Sequence, residues 1–345
     1  MRGKCGSSRI VIGGMGRSVD EIEERARNLG ARGRLFTVMA SSVRGLMRGN
    51  PIELGDGESS KRLETAIYII GELLSRGADR WDTLIAVGGG SLLDVAGFAA
   101  SIYKRGIDYV NVPTTLLAMV DAAIGGKTGV DYGNVKNVIG TFHQPRLVLI
   151  DPTLVETLDE RNYVSGLAEV IKYGLTLDAG LYDYVESHVN ELLSRRREAV
   201  RLVVERSASL KAKVVEEDER EELGKRFVLN FGHTIGHAVE GATGFSITHG
   251  EAVALGMRCE LGLGVRLGVT HESALTRFTK LCESLHLCGS PPVNFEDVAS
   301  LLSADKKKRG DSISMPLVKR VGEWELIDVG IEELRREVIR CLSTP

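Results

Sequence analysis

At 345 residues the chain is long enough for two ordinary domains, each with a sizeable core. A charged fraction of 26% beside 43% hydrophobic residues is that of a soluble globular protein, and a net charge of -3 gives no reason to expect nucleic acid or an anionic membrane as partner. No uncharged apolar stretch of about eighteen residues occurs, which excludes a spanning helix.

The N-terminus, MRGKCGSSRIVIGGMG, starts basic, but RIVIGG is too short for the apolar region of a signal peptide and reads as a first β-strand. Residues 1–152 then alternate β-branched runs with amphipathic stretches. Arg9–Ile12, Arg34–Thr37 and Thr83–Val87 read as strands, and Val19–Leu29 and Leu63–Arg76 as helices. That alternation predicts βαβ units and an α/β domain with a mostly parallel sheet. At its centre, LIAVGGGSLLDVAGFAASIY is a buried strand, three glycines and a helix opened by Ser91 with Asp94 three residues on, a capping-box-like start. Glycines there would let backbone amides approach a diphosphate at the positive helix end, although a tight turn with no ligand explains them too. Past the boundary at Ile150–Thr153, residues 153–345 read as a mainly helical domain. Its periodic segments are Leu167–Leu175, Leu181–Leu193, Glu198–Glu217, Ile235–Glu240, Glu251–Leu267, His271–Leu285 and Glu296–Ser303, and Ser314–Val318 with Trp324–Ile327 suggests a small hairpin. The five cysteines, Cys5, Cys259, Cys282, Cys288 and Cys341, contain no CxxC pair. Reduced thiols in a cytosolic setting are therefore expected, although thermophile cytosols can hold disulfides.

Three stretches carry more chemistry than packing needs. DAAIGGKTGVDYGNVKN contains GKT, but the Walker pattern would put glycine where the chain has Asp121, and a carboxylate there would repel phosphate. Lys127, Lys136 and Asn137 fit a platform for an acidic substrate better, with a solvated loop as the plainer alternative for the lysines. In SGLAEVIKYG, Glu169 and Lys172 share a helix face among apolar neighbours, where a carboxylate could complete a zinc set of one Glu and two His. RFVLNFGHTIGHAVEGATGFSITHGEAV holds three of the seven histidines. His233 and His237 are one helical turn apart and His249 opens another helix, where the dipole favours the neutral, metal-binding imidazole. From these residues alone, metal ligation and satisfied core histidines are equally open.

Taken together and in this order, VDAAIGGKTGVD, KNVIGTFHQP, GLAEVIKYG, LNFGHTIGHAVE and HGEAVALGM resemble the 3-dehydroquinate synthases of the sugar-phosphate cyclase superfamily, from Glu58 to Lys308. The resemblance implies a nucleotide-binding α/β domain, a helical domain, NAD, one zinc or cobalt ion and a cytoplasmic homodimer. It implies Glu169, His233 and His249 as metal ligands. Asp121, Lys127, Lys136, Asn137, Lys172, Lys211, Arg226, Asn230, His237 and a lysine of Lys306–Lys307 would surround a sugar acid phosphate, with His237, Lys172, Asn230, Lys127 and Arg226 catalytic. Glu58, Lys61, Gly89, Gly90, Asp94, Thr114, Thr115, Thr157, Lys127 and Lys136 would serve the dinucleotide. The stretch Asp218–Lys225 is one residue longer than the usual pattern, so Lys213 competes with Lys211. Where the family commonly has an acidic residue after the second strand, this chain reads Thr37-Val38-Met39-Ala40, which leaves the adenosine contact and the choice of NAD over NADP open.

The implied reaction suits these residues. An anion charged at both ends needs clustered Lys and Arg to hold it. Transient oxidation of a ring hydroxyl acidifies the neighbouring C–H, phosphate leaves by β-elimination, the hydride returns, and the ring opens and recloses by an aldol step. Rival readings are a cyclase for another sugar phosphate, a glycerol-type polyol dehydrogenase, and a non-catalytic nucleotide- or metal-binding protein.

Overall fold

The structure, a computed structural model, describes residues 2–3, 6–16, 18–45, 49–133, 135–289, 293–302, 308–309 and 311–343. Cys5, Ser303, Lys306 and Lys307 lie outside them. The chain forms two compact units, one of Met1–Leu158 with Lys211–Arg220, the other of Asp159–Leu210 with Glu221–Pro345.

In the first unit β1 (Arg2–Gly3) pairs antiparallel with β2 (Gly6–Ser7) ahead of β3 (Arg9–Ile12) and α1 (Val19–Asn28). A capping box between Ser18 and Glu21 starts α1, whose buried Val19, Ile22 and Ala26 fall on one face. There follow β4 (Leu35–Ala40), β5 (Ile52–Leu54), α2 (Leu63–Ser75), β6 (Thr83–Gly88), α3 (Gly90–Ile102), β7 (Asp108–Pro113), β8 (Lys127–Tyr132), β9 (Val135–Phe142) and β10 (Leu147–Ile150). Six strands form one parallel sheet in the order β3-β10-β7-β6-β4-β5. The α/β expectation is borne out, and β6 shows why: every residue of TLIAVG is buried, as a strand covered on both faces requires. β4 runs on to Ala40 because Thr37, Val38, Met39 and Ala40 are all buried. The GKT segment enters a strand, β8 of the antiparallel β8–β9 hairpin, and no phosphate-binding helix follows it.

The second unit is mainly helical, as expected. It contains α4 (Glu160–Leu177), α5 (Ala179–Ser187), α6 (Val189–Leu193) and α7 (Arg197–Glu217), whose residues from Lys211 on belong to the first unit. His188, at φ -125° and ψ 32°, breaks the expected Leu181–Leu193 helix into α5 and α6. Then come α8 (His233–Ala242), α9 (His249–Arg266), α10 (Glu272–Ser284), α11 (Phe295–Leu301), β11 (Lys308–Arg309), β12 (Ser312–Arg320), β13 (Glu323–Gly330) and α12 (Ile331–Ser343). The expected hairpin is present as β12 and β13, and β11 extends it to a three-stranded antiparallel sheet. Ile235, Val239, Leu255, Leu263, Met315, Leu317, Leu334 and Val338 join α8, α9, α12 and the sheet in one core. Among the described residues no helix is long and apolar enough to cross a membrane.

The expectation of reduced thiols is corrected. Cys259 is bonded to Cys341, tying α9 to α12, and Cys282 to Cys288. Their Cα atoms are 5.4 and 5.5 Å apart, a spacing disulfides favour, and sequence alone gave no sign of it because the partners are 82 and 6 residues apart with no shared motif.

Candidate functional site

In the second unit three helices bring one ligand-bearing side chain each to a common point. α4 starts at Asp159, which accepts the Asn162 N–H, and buries its middle so fully that Glu169 is 0% and Lys172 1% exposed. α8 starts at Gly232, whose φ of 78° turns the chain so that His233 is its first helical residue. α9 starts with a capping box between Thr248 and Glu251, which makes His249 its first residue. Glu169 Oε1 lies 3.4 Å from His233 Nε2 and 3.4 Å from His249 Nε2. One donor atom from each residue lies within 4.8 Å of the other two.

Glycine makes this convergence possible. A Cβ on Gly250 would sit 2.0 Å from the Ser165 carbonyl oxygen, and one on Gly256 1.9 Å from that of Gly232. Any side chain there would hold α9 away from α4 or from the α8 start. Hydrogen bonds fix the approach, as Gly250 N–H donates to Ser165 Oγ at 2.9 Å and Gly232 N–H to Glu260 Oε2 at 2.7 Å.

The charges around the cluster set its protonation. The Lys172 ammonium pairs with Glu169 Oε2 and donates to Leu229 O at 2.8 Å. Burial, and next the Lys172 cation, hold His233 well below the usual histidine range. Its Nδ1 is 3.1 Å from Phe231 O, so the neutral ring carries its proton there and turns the Nε2 lone pair toward Glu169. His249 moves the other way. Burial lowers it, but the Glu169 and Glu240 carboxylates outweigh burial and push it up to about 10. The two rings share Glu169, and they differ because His249 has a second carboxylate where His233 has a cation.

One buried carboxylate and two imidazoles fit a divalent ion of the zinc type, the three-ligand pattern that leaves a position for substrate. Borderline nitrogen and oxygen donors of this kind suit cobalt as well. His237 is exposed on the next turn of α8, its ring centroid 5.3 Å from that of His233 and 6.1 Å from that of His249. Arg226 is 2% exposed, with Nε 3.7 Å from Glu221 Oε1, on the 3-10 turn Lys225–Asn230 that ends at half-buried Asn230.

The first unit gathers a second group at the carboxyl ends of its strands. Gly89 is the N-cap of α3 and no side chain caps that helix. The capping-box expectation is corrected, because other partners take both side chains: Ser91 Oγ donates to Glu58 Oε2 at 2.5 Å, and Asp94 pairs with Lys61 at 2.7 Å. Lys136 lies 3.3 Å from Glu58. Thr114 N–H donates to Gly88 O at 3.0 Å, and the Thr115 methyl lies 3.2 Å from where a Gly89 Cβ would be. Burial raises the Asp94 carboxyl against the pull of Lys61, and Lys61 is itself raised, the carboxylates of Asp94 and Glu58 outweighing its burial. Glu58, Lys61, Ser91, Asp94 and Lys136 thus hold one another beside the glycine turn. Thr157 sits on the 3-10 turn Pro152–Thr157, with its hydroxyl donating to Leu154 O at 2.9 Å.

Lys211 Nζ is 2.8 Å from Asp121 Oδ1 and donates to Asp121 O at 2.7 Å, while Lys213 is exposed. Buried Lys211 is therefore the member of the pair joined to a residue of the expected set. Gly125 and Gly126, at φ 111° and 67°, form the turn that presents exposed Lys127. Asn137 has φ 53° within β9, and its N–H donates to Asp131 Oδ1 at 2.7 Å. A left-handed residue inside a strand is the kind of strain that polar sites retain.

Two carboxylates escaped the sequence reading. Glu240 approaches His249, a pairing foreshadowed only by its spacing of three from His237 on a helix. Asp56, just after β5, accepts from Ser42 N–H at 2.8 Å and Ser42 Oγ at 2.6 Å, and also from Ser41 Oγ. It thereby places an acidic group at the end of β4, where the chain itself has none.

The sequence matches the family descriptions 3-dehydroquinate synthase N-terminal over residues 51–165 and 3-dehydroquinate synthase C-terminal over residues 166–308. This chain belongs to the 3-dehydroquinate synthase family. Among its relatives, the 3-dehydroquinate synthase of Saccharolobus solfataricus is 44% identical over 300 residues, covering 85% of this chain and 84% of that protein. That of Pyrobaculum neutrophilum is 49% identical over 290 residues, covering 83% and 84%. Solved structures agree with the family. The 2-epi-5-epi-valiolone synthase of Streptomyces hygroscopicus, with NAD+ and Zn2+ bound, has a TM-score of 0.87 at 30% identity over 98% of each chain. A 2-deoxy-scyllo-inosose synthase complexed with carbaglucose-6-phosphate, NAD+ and Co2+ has a TM-score of 0.83 at 25% identity over 95% of each. An iron containing alcohol dehydrogenase, 14% identical with a TM-score of 0.68 over 98% of each chain, shares the fold alone.

Proposed function

We propose that this enzyme converts 3-deoxy-D-arabino-heptulosonate 7-phosphate into 3-dehydroquinate and inorganic phosphate, as a phosphate-eliminating lyase of the shikimate pathway. NAD would be bound by the first unit, and one zinc or cobalt ion by Glu169, His233 and His249 of the second. The observation that carries the reading is the approach of those three side chains to within 4.8 Å in a chain of this family. A cytoplasmic homodimer is the setting that membership of the family supports.

Held by these residues, NAD would supply a reversible hydride acceptor and the ion a Lewis acid for the hydroxyl being oxidised, so the net reaction would consume no oxidant. The chain's own residues bind and move protons. Arg226 offers a planar fork suited to a carboxylate or phosphate, and its near-complete burial means that little orienting entropy remains to be lost. Asn230 shares its turn. Lys172, tied to Glu169 and Leu229 O, fixes the carboxylate that faces both imidazoles. His237 would carry protons to and from substrate oxygens, and its exposure beside the cluster supports that role. In the first unit the proposed substrate groups are Lys127, Lys136, Asn137 and the Asp121–Lys211 pair. Lys306 and Lys307 stay part of the proposal from the family resemblance alone.

At the other end of the cofactor, the uncapped start of α3 suits the diphosphate, flanked by Glu58, Lys61, Asp94, Thr114 and Thr115, with Thr157 retained from the resemblance. Asp56 would take the place of the missing acidic residue after β4. Its carboxylate favours a ribose with a free 2′-hydroxyl and repels a 2′-phosphate, so NAD is the expected dinucleotide.

The test is to mix enzyme, NAD and the heptulosonate phosphate with and without a chelator. Phosphate should accumulate without NADH, and the chelator should stop it. Steady NADH growth would point to a dehydrogenase instead.

A further inference from the structure

Glu240 belongs to neither the proposed metal set nor the substrate groups, yet it is 4% exposed on the face of α8 that carries His233 and His237. Its Oε1 lies 3.5 Å from His249 Nδ1, while His249 Nε2 lies 3.4 Å from Glu169 Oε1. The two ring nitrogens thus face two different carboxylates. An imidazole can give a lone pair to an ion at one nitrogen while keeping a proton on the other, and the partner of that other nitrogen decides which is which. At His233 the partner is Phe231 O, 3.1 Å from Nδ1. At His249 it is Glu240. A carboxylate is the stronger partner, because it accepts the ring N–H with a full negative charge.

We propose that Glu240 is a positioning residue that takes the Nδ1–H of His249, fixes the tautomer presenting Nε2 to the ion, and makes that nitrogen a better donor. The competing arrangement is also drawn by the geometry. His237, Glu240 and His249 offer donor atoms within 4.8 Å of one another, so Glu240 could instead be a ligand itself. The matching contact at His233 favours positioning, since both rings then turn Nε2 toward Glu169.

The inference rests on the metal reading above, and a first measurement separates the two. Wild-type protein labelled with 15N-histidine and loaded with zinc should show His233 and His249 protonated at Nδ1 and metal-shifted at Nε2. Zinc carried by Nδ1 of His249 would overturn the role of Glu240 and leave the metal site standing, whereas a wild type that binds no zinc overturns both. In competition with a chelator, metal-free Glu240→Gln should bind zinc about 10- to 100-fold more weakly than wild type. Glu240→Asp should recover part of that loss, and His237→Ala should stay within about threefold of wild type. Unchanged affinity in Glu240→Gln contradicts the proposal. So does a His237→Ala loss as deep as that of Glu240→Gln, which would make the second trio the site. Should Glu240→Gln fail to fold, the wild-type spectrum still decides.

Discussion

In the second unit the proposed metal ligands sit on the middle and first turns of packed helices, and in the first unit the groups proposed to meet a dinucleotide sit on turns beyond the ends of parallel strands. Glu169 is wholly buried, and its distances to two histidines are set by backbone contacts at Gly250 and Gly256. By contrast, Glu58, Ser91 and Lys136 meet near the surface and hold one another. The proposed metal ligands are supported by close main-chain contacts at Gly250 and Gly256, reinforced by the hydrogen bonds of Gly250 to Ser165 and of Gly232 to Glu260. The proposed dinucleotide edge is held by contacts between side chains. An ion of fixed coordination needs the first arrangement, and a long cofactor that must bind and remain adjustable through a multistep reaction suits the second.

Breaking the supports of the second unit gives the largest expected effects. The Cys259–Cys341 bridge closes a far longer loop than Cys282–Cys288, with separations of 82 and 6 residues. In the chain-entropy view their loss costs about 4.5 and about 2 kcal/mol. Denaturant unfolding of Cys341→Ser and Cys288→Ser should show that order, and equal costs would mean that the long bridge does not anchor the core. Gly250→Ala forces a methyl to within 2.0 Å of Ser165 O and should cost about 1–3 kcal/mol while weakening zinc binding. Calorimetry with metal titration reads both, and a stable variant with wild-type affinity would show that the close approach of α9 to α4 is dispensable. The smallest effect lies in the first unit. Asp56→Ala should weaken NAD binding about tenfold, the scale of one hydrogen bond to a charged group, and narrow the preference over NADP. Fluorescence titration with both dinucleotides would reveal an unchanged ratio if Asp56 were only a turn residue.

How much of this was legible in the sequence followed the same division. The parallel sheet was readable because fully buried strands such as Thr83–Gly88 are apolar without interruption. The helices holding Glu169, His233 and His249 were readable from periodicity, and the family motifs singled out those three residues. Partners made by the fold were hidden. Ser91 and Asp94 looked like a local cap because nothing in the chain announces that Glu58 and Lys61, about thirty residues earlier, take them instead. Asp56 was passed over because it follows a three-residue edge strand, and it matters only because that strand lies beside β4. The Lys211–Lys213 ambiguity was beyond spacing arguments and needed the helix phase that points Lys211 at Asp121. Cys259 and Cys341 paired across a distance that no local pattern encodes.

The most direct test of the central claim is metal content and turnover measured together on wild type and His249→Ala. Wild type should hold one zinc or cobalt ion per chain, and the folded variant should have lost both the ion and phosphate release, the latter by on the order of a thousandfold. A metal-free His249→Ala protein that releases phosphate from the heptulosonate phosphate at the wild-type rate would contradict that claim.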